Sequence, residues 1–144
     1  METCKLSLSV RATGPDLRVN LRFNGHTIFD KILNNENQLL IEHDFDDTED
    51  LAHRLEIELS EKLPDYTKLN SAGEIESDRI LIISDLSLSG IAIDKLLPAL
   101  AVYSHDFNGS SQVTNDKFYG IMGCNGVATL EFTSPVYMWL LENM

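Results

Sequence analysis

Apolar residues fall on alternate positions along much of this chain, and that period of two restricts the folds it can enter. Leu6, Leu8 and Val10 alternate, as do Leu17, Val19, Leu21 and Phe23, then Leu39 and Ile41, then Leu55, Ile57 and Leu59. Neighbouring side chains on a strand point to opposite faces, so each run offers one face to a core and one to water. A helix competes over "TEDLAHRLEIELSEKL", where Leu51, Leu55 and Leu59 recur at helical spacing behind acidic residues. The alternation of Leu55, Ile57 and Leu59 with Glu56, Glu58 and Ser60 favours a strand over residues 54–60. Asn24-Gly25 tolerates the positive φ angles of a tight turn and predicts a hairpin with a two-residue loop. In that register Leu21 faces Ile28, and Val19 meets Asp30.

The stretch "DRILIISDLSLSGIAID" is apolar on both parities from Ile80 to Ile83 and then alternates at Leu86 and Leu88. It turns at Ser89-Gly90 and resumes at Ile91 and Ile93, which predicts a central strand followed by a half-exposed one. Residues 63–78 and 103–116 lack sustained periodicity and read as long loops, the places where binding concentrates on a rigid sheet. Short strands, turns and little helix predict an all-β, antiparallel β-sandwich of jelly-roll type, as a single domain over residues 1–144.

Size permits such a core: a chain of 144 residues, 43% apolar, buries roughly 70% of its unfolded surface without disulfides. Charge excludes partners, because 11 basic against 23 acidic residues leave a formal net charge of -12. That sign repels nucleic acid and an anionic membrane surface. Cys4 and Cys124 lack metal or redox spacing, and read as small core residues or as a pair if the chain ends meet. The start "METCKLSLSV" does not read as a secretory leader, and no apolar run approaches the roughly 20 residues of a membrane helix, so synthesis in a cytoplasm is expected.

The four histidines, His26, His43, His53 and His105, belong to no HExxH pattern, and the chain holds no GxSxG or P-loop. A non-enzymatic role is therefore expected. Two stretches are candidate binding sites. "DFDDTED", residues 44–50, places five carboxylates in seven positions, the hard oxygen ligands that Ca2+ prefers. It does not follow the EF-hand pattern, yet Asp44, Asp46 and Asp50 could ligate calcium in a binding loop; the plain alternative is a solvated turn between strands. Tyr103, His105, Asp106, Phe107 and Asn108 combine aromatics with short polar groups of the kind that grip sugar rings and hydroxyls. Their alternative is an ordinary turn with buried aromatics.

"VATLEF", residues 127–132, reads as the final strand, and Pro135 ends its pairing because proline lacks the amide donor. Beyond it lies "VYMWLLENM" with the single tryptophan. As a strand, residues 136–141 would show apolar groups on both faces and need cover on both. Either the segment closes the home core, or one face docks on another subunit through Val136, Tyr137, Trp139, Leu140 and Leu141, with Trp139 as anchor.

The order "LRVNLRFNGHTIFD", an acidic loop, "HRLEIELSEK" and "DRILIISDLSLSGIAID" resembles β-sandwich carbohydrate-binding modules. In these an Asn-Gly hairpin, a His-x-Leu-x-Ile strand and a calcium loop read xylan-like sugars. The same pattern, with the ending "GCNGVATLEFTSPVYMWLLENM", is similar to small structural and accessory proteins in virions of tailed bacteriophages, the marine myoviruses in particular. The resemblance implies a virion component that docks to other virion proteins, or to copies of itself as a homo-oligomer, by edge strands and the apolar tail. Its loops would touch host-cell glycans, and no cofactor is needed unless it is Ca2+. The other expectation is a calcium-dependent carbohydrate-binding module working independently.

Overall fold

The computed structural model describes residues 3–34, 38–63, 66–105 and 112–144. In chain order the elements begin with β1 (Thr3–Ala12), β2 (Leu17–Phe23), β3 (His26–Leu33), β4 (Leu39–Asp46) and β5 (Ala52–Ser60). They continue with β6 (Lys68–Leu69), β7 (Ile75–Ser77), β8 (Leu81–Leu88) and β9 (Ile91–Ala92). A 3-10 turn at Asp94–Leu96 leads into α1 (Leu97–Leu100), followed by β10 (Val102–His105), β11 (Thr114–Lys117), β12 (Ile121–Met122), β13 (Gly126–Thr133) and α2 (Val136–Asn143). One sheet runs β12-β8-β1-β4, with β9 also on β8, and the other runs β11-β10-β13-β5-β2-β3. The pairs are antiparallel. These two sheets make the predicted β-sandwich.

The alternating runs supply the core between the sheets. Leu6, Leu8 and Val10 of β1 and Leu81, Ile83, Leu86 and Leu88 of β8 are buried on one side. Leu17, Val19, Leu21 and Phe23 of β2, with Leu55, Ile57 and Leu59 of β5, are buried on the other. Residues 54–60 are strand, not helix, and pair with both β13 and β2.

Two irregularities place side chains where plain alternation would not. The β2–β3 hairpin closes on Asn24 (φ 51°) and Gly25 (φ 84°) as predicted, but its register slips after Arg22↔Thr27, so that Leu21 faces Phe29 and Val19 faces Lys31. Ile28 is the extra residue of a β-bulge. The slip puts Phe29 and Leu33 opposite Leu21 and Leu17, on the core side. In β8 the buried parity changes between Ile83 and Leu86, where Asp85 has a φ of 52° and the β1–β8 register shifts.

Residues 63–78 are less loop-like than expected, since β6 and β7 form a small hairpin. Lys62 holds it down: its fully buried Nζ donates to Asp78 Oδ1 at 2.6 Å and to the Gly123 carbonyl at 2.5 Å. Asp78 Oδ1 also accepts from the Thr67 hydroxyl and the Arg79 amide. Cys4 and Cys124 do not pair. Burial pushes the Cys4 thiol pKa up, and its sulfur sits 2.8 Å from Ser89 Oγ. Among the described residues, no helix is long and apolar enough to cross a membrane.

Candidate functional site

The outward side chains of the six-stranded sheet are polar, as the alternation requires. Arg18, Asn20 and Arg22 of β2 lie beside Glu56, Glu58 and Ser60 of β5. Arg22 Nη1 donates to Glu58 at 2.8 Å and to Asn20 Oδ1 at 2.9 Å, and Arg18 pairs with Asp30 across the hairpin at 3.2 Å. Two adjoining clefts open here. One, of about 420 Å³, is lined by Arg18, Asn20, Arg22 and Thr27; the other, of about 300 Å³, by Ser104, His105, Val113, Asn125 and Gly126. Glu58, Ser60 and Glu61 line both, so they read as one trough crossing β2, β5, β13 and β10. Gly126 lets β13 lie close against β10, because a Cβ there would lie 2.3 Å from the Ser104 carbonyl oxygen.

The trough ends at β10 and β11, where the sequence places its sugar-gripping candidates. Asp106, Phe107 and Asn108 lie outside the described residues. Tyr103 and His105 lie in β10, a strand where a loop was expected, and both are buried. The Tyr103 ring packs on His105 and Phe118, and its hydroxyl donates to the Cys124 carbonyl and accepts the Cys124 amide at 2.9 Å. Burial pushes its pKa up to about 12, so it stays a neutral phenol. That places Tyr103 as a prop for the β12–β13 connection rather than a stacking platform. His105 Nε2 lies 2.6 Å from Asp116 Oδ2, and His105 is among the residues that line the trough. Of the other tyrosines, Tyr66 is capped by the Arg79 guanidinium at 3.8 Å, and Tyr119 is exposed.

The acidic run divides. Asp44 and Asp46 share the outer face of β4 with Glu42, while Asp50 follows in the connection to β5 with a φ of 67°. Asp46 already accepts the backbone amide and hydroxyl of Thr48. Asp47, not singled out from sequence, turns toward the interior, where Oδ1 accepts from the Ser134 hydroxyl at 2.6 Å and the Val136 amide at 3.0 Å. The described residues contain no group of three or more His, Cys, Asp or Glu side chains placed to hold a metal ion. Asp44, Asp46 and Asp50 are thus not gathered into such a group, and Asp44 and Asp46 lie on the outer face of β4 as the solvated-turn alternative has them.

The tail is a helix, so the apolar groups that a strand would have shown on both faces are sorted at helical spacing instead. α2 buries Val136, Trp139 and Leu140, three and four residues apart, and turns Tyr137, Met138, Leu141 and Met144 outward. Trp139 is only 7% exposed, with its ring 5.8 Å from Phe132, so it anchors the helix at home instead of reaching for a partner. Tyr137, at 60% exposure, and Leu141, at 75%, remain free to meet one. A groove of about 370 Å³ beside them is lined by Ile91, Tyr137, Leu140 and Asp47.

The sandwich is similar in fold to solved structures. A carbohydrate-binding module, vCBM60, in complex with galactobiose matches with a TM-score of 0.52 at 12% identity, covering 88% of this chain and 96% of that one. The selenomethionine form of vCBM60, described with a circular permutation linking two families of calcium-dependent carbohydrate binding modules, matches with a TM-score of 0.52 at 11% identity, over 88% and 89%. What the chain shares with these modules is the β-sandwich fold. No family model matches the chain, and no curated protein does. The likeness to phage virion proteins rests on sequence pattern alone.

Against this fold, sequence reasoning missed the trough and found only its His105 end. The one available signal was the polar set between the apolar positions of β2 and β5, Arg18, Asn20 and Arg22 against Glu56, Glu58 and Ser60. It was read as a wet face and nothing more.

Proposed function

We propose that this chain is a non-catalytic glycan-binding module whose ligand lies in the trough across β2, β5, β13 and β10. The observation that carries the reading is the fold match over 88% of the chain to a module solved with galactobiose. The trough adds the chemistry. The serine hydroxyls, Asn20, Asn125 and the carboxylates offer donors and acceptors to sugar hydroxyls, and its volume suits a short saccharide. Aromatic stacking is absent from its described lining, so binding by hydrogen bonds alone is expected to be weak for each sugar unit. Calcium has no part in this reading through Asp44, Asp46 and Asp50; added Ca2+ is expected to leave the melting temperature unchanged, since only an ion that binds the folded state raises it.

A glycan array probed with the wild type and with Ser60→Trp tests the proposal, because Ser60 lines both clefts. Binding by the wild type and its loss in a folded Ser60→Trp are expected. An array with no wild-type signal, or equal signals from the two, would remove the reading.

A second reading has the outward face of α2 to support it. Tyr137, Met138, Leu141 and Met144 form an exposed apolar stripe beside Ile91. Edge strands are poorer docking sites, since β4 carries Glu42, Asp44 and Asp46 outward and β3 carries Asp30 and Lys31. The groove holds Asp47, the stripe is interrupted by Glu142, and the chain is strongly acidic. The fitting occupant is a partner protein with an apolar centre and a basic rim, in preference to a second acidic copy of this chain. A virion protein is the partner that the sequence pattern suggests, with a virion location following from it. A synthetic peptide with lysines flanking a leucine face is the probe: it should bind in a salt-sensitive way and be lost in Leu141→Glu. Self-association that Leu141→Glu abolishes would instead make the occupant a homo-oligomeric neighbour.

A further inference from the structure

The two clefts of the trough differ in their charged lining. In the cleft over β2, guanidiniums and carboxylates are interleaved. Arg18 meets Asp30 through two bonds, Nε to Oδ1 at 3.3 Å and Nη2 to Oδ2 at 3.2 Å. Arg22 Nη1 donates to Glu58 Oε1 at 2.8 Å and to Asn20 at 2.9 Å. Glu61 lies 3.6 Å from Arg18, and Glu56 lies 3.6 Å from Arg22. Two guanidiniums thus face four carboxylates, and both are already committed to partners.

The cleft toward β10 carries the imbalance further. Among the described residues, Glu58 and Glu61 line it and no lysine or arginine does. His105, the remaining basic group there, is matched by Asp116 at 2.6 Å. Lys62, next along the chain, is turned away into its bonds with Asp78 and the Gly123 carbonyl. The stretch that follows His105, "DFNGSS", contains no lysine or arginine.

Glu58 lies where the two clefts join, since it lines both. Arg22 holds one of its oxygens, which fixes the carboxylate, and among the described residues the other oxygen has no hydrogen-bond partner. A concave surface lined by one sign of charge focuses its field on what enters. A sugar carrying a carboxylate would have to break the pairs on Arg18 or Arg22 and then sit against Glu58 and Glu61. A sugar carrying an ammonium gives those two carboxylates charge-assisted bonds that a hydroxyl does not match, while the Ser60 and Ser104 hydroxyls remain for its neutral groups.

We propose that the cleft toward β10 selects glycans bearing a free amine and refuses those bearing uronic acids, with Glu58 and Glu61 as the residues that set the preference. The inference rests on the glycan-binding reading and deepens it by naming the class of sugar.

Calorimetric titration with three sets of short sugars tests it, at mildly acidic pH so that the sugar amine is charged. The sets are β-1,4 glucosamine oligomers, neutral sugars, and galacturonic acid oligomers. The neutral set holds galactobiose and β-1,4 glucose oligomers, which carry a hydroxyl in place of each amine. At low salt the glucosamine oligomers are expected to bind on the order of fivefold tighter than the glucose oligomers, the preference shrinking as salt rises, and the galacturonic acid oligomers not to bind. Glu58→Gln, which keeps an oxygen for Arg22, and Glu61→Gln should each reduce that ratio. Asp44→Asn, on the other sheet, removes the same charge and should leave the ratio as it is. A neutral sugar that binds as tightly as the glucosamine oligomers would overturn the inference and leave the glycan reading standing, whereas no binding by any sugar would remove both. A preference that survives Glu58→Gln and Glu61→Gln, or that falls equally in Asp44→Asn, would also overturn it, since the attraction would then come from the net charge. If Glu58→Gln does not fold, the exposed Glu61→Gln decides.

Discussion

The two ends of the sandwich use polar groups in opposite ways. Around His53, whose ring is enclosed by Phe23, Phe45 and Phe132, the buried Ser134, the half-buried Asp47 and the exposed Asn24 bond to it, to one another and to backbone amides. Along the trough, Arg18, Arg22, Glu58 and Glu61 form ion pairs that stay partly exposed. Both sets sit on the same strands, β2 and β5, one inward and one outward. The closed set fixes the fold because an unpaired buried group is costly. The open set can exchange partners with water or a ligand at little cost. The proposed binding is therefore assigned to the open set, and the closed one is assigned to stability.

The largest break in this contrast should come from the closed end. Phe132→Ala removes the ring that touches His53, Phe45 and Trp139, and urea unfolding is expected to show a loss of about 3–5 kcal/mol. Next is Ser134→Ala, which leaves the buried His53 Nε2 without its hydroxyl partner. A loss of about 1–3 kcal/mol is expected in the same urea unfolding. The smallest effect belongs to the trough. A double-mutant cycle over Arg22→Ala and Glu58→Ala should give a coupling of about 1 kcal/mol or less, falling with salt. A coupling as large as the Ser134 effect would mean that the two ends are not different in kind.

How much of this was legible depends on what each feature rests on. Period-two runs found β1, β2, β5 and β13 because a half-buried strand leaves its parity in the sequence. The Ile28 bulge leaves no such mark, since Ile28 and Phe29 are both apolar and either could face the core. The parity change from Ile83 to Leu86 was visible, but its cause, Asp85 in a left-handed conformation, is a backbone event. α2 was hidden by its own hydrophobicity: Val136, Trp139 and Leu140 have helical spacing, yet with Tyr137, Met138 and Leu141 also apolar the segment fits a two-faced strand equally well. The trough and the His53 chain were beyond reach because both depend on lateral strand order. Residues 18–22, 58–61, 104 and 126 meet only when β10, β13, β5 and β2 lie side by side. The His53 chain likewise joins residues 24, 47, 53 and 134, which no local pattern links.

Backbone amide shifts followed during titration with galactobiose and a panel of short neutral oligosaccharides test the central claim most directly, since they report where a sugar sits as well as whether it binds. Saturable shifts are expected to cluster at Asn20, Glu58, Ser60, Ser104 and Gly126, around the trough, and to leave the amides of His53, Val136 and Trp139 in place. Shifts centred on α2 and the His53 cluster, or none with any sugar, would contradict the assignment of binding to the open end.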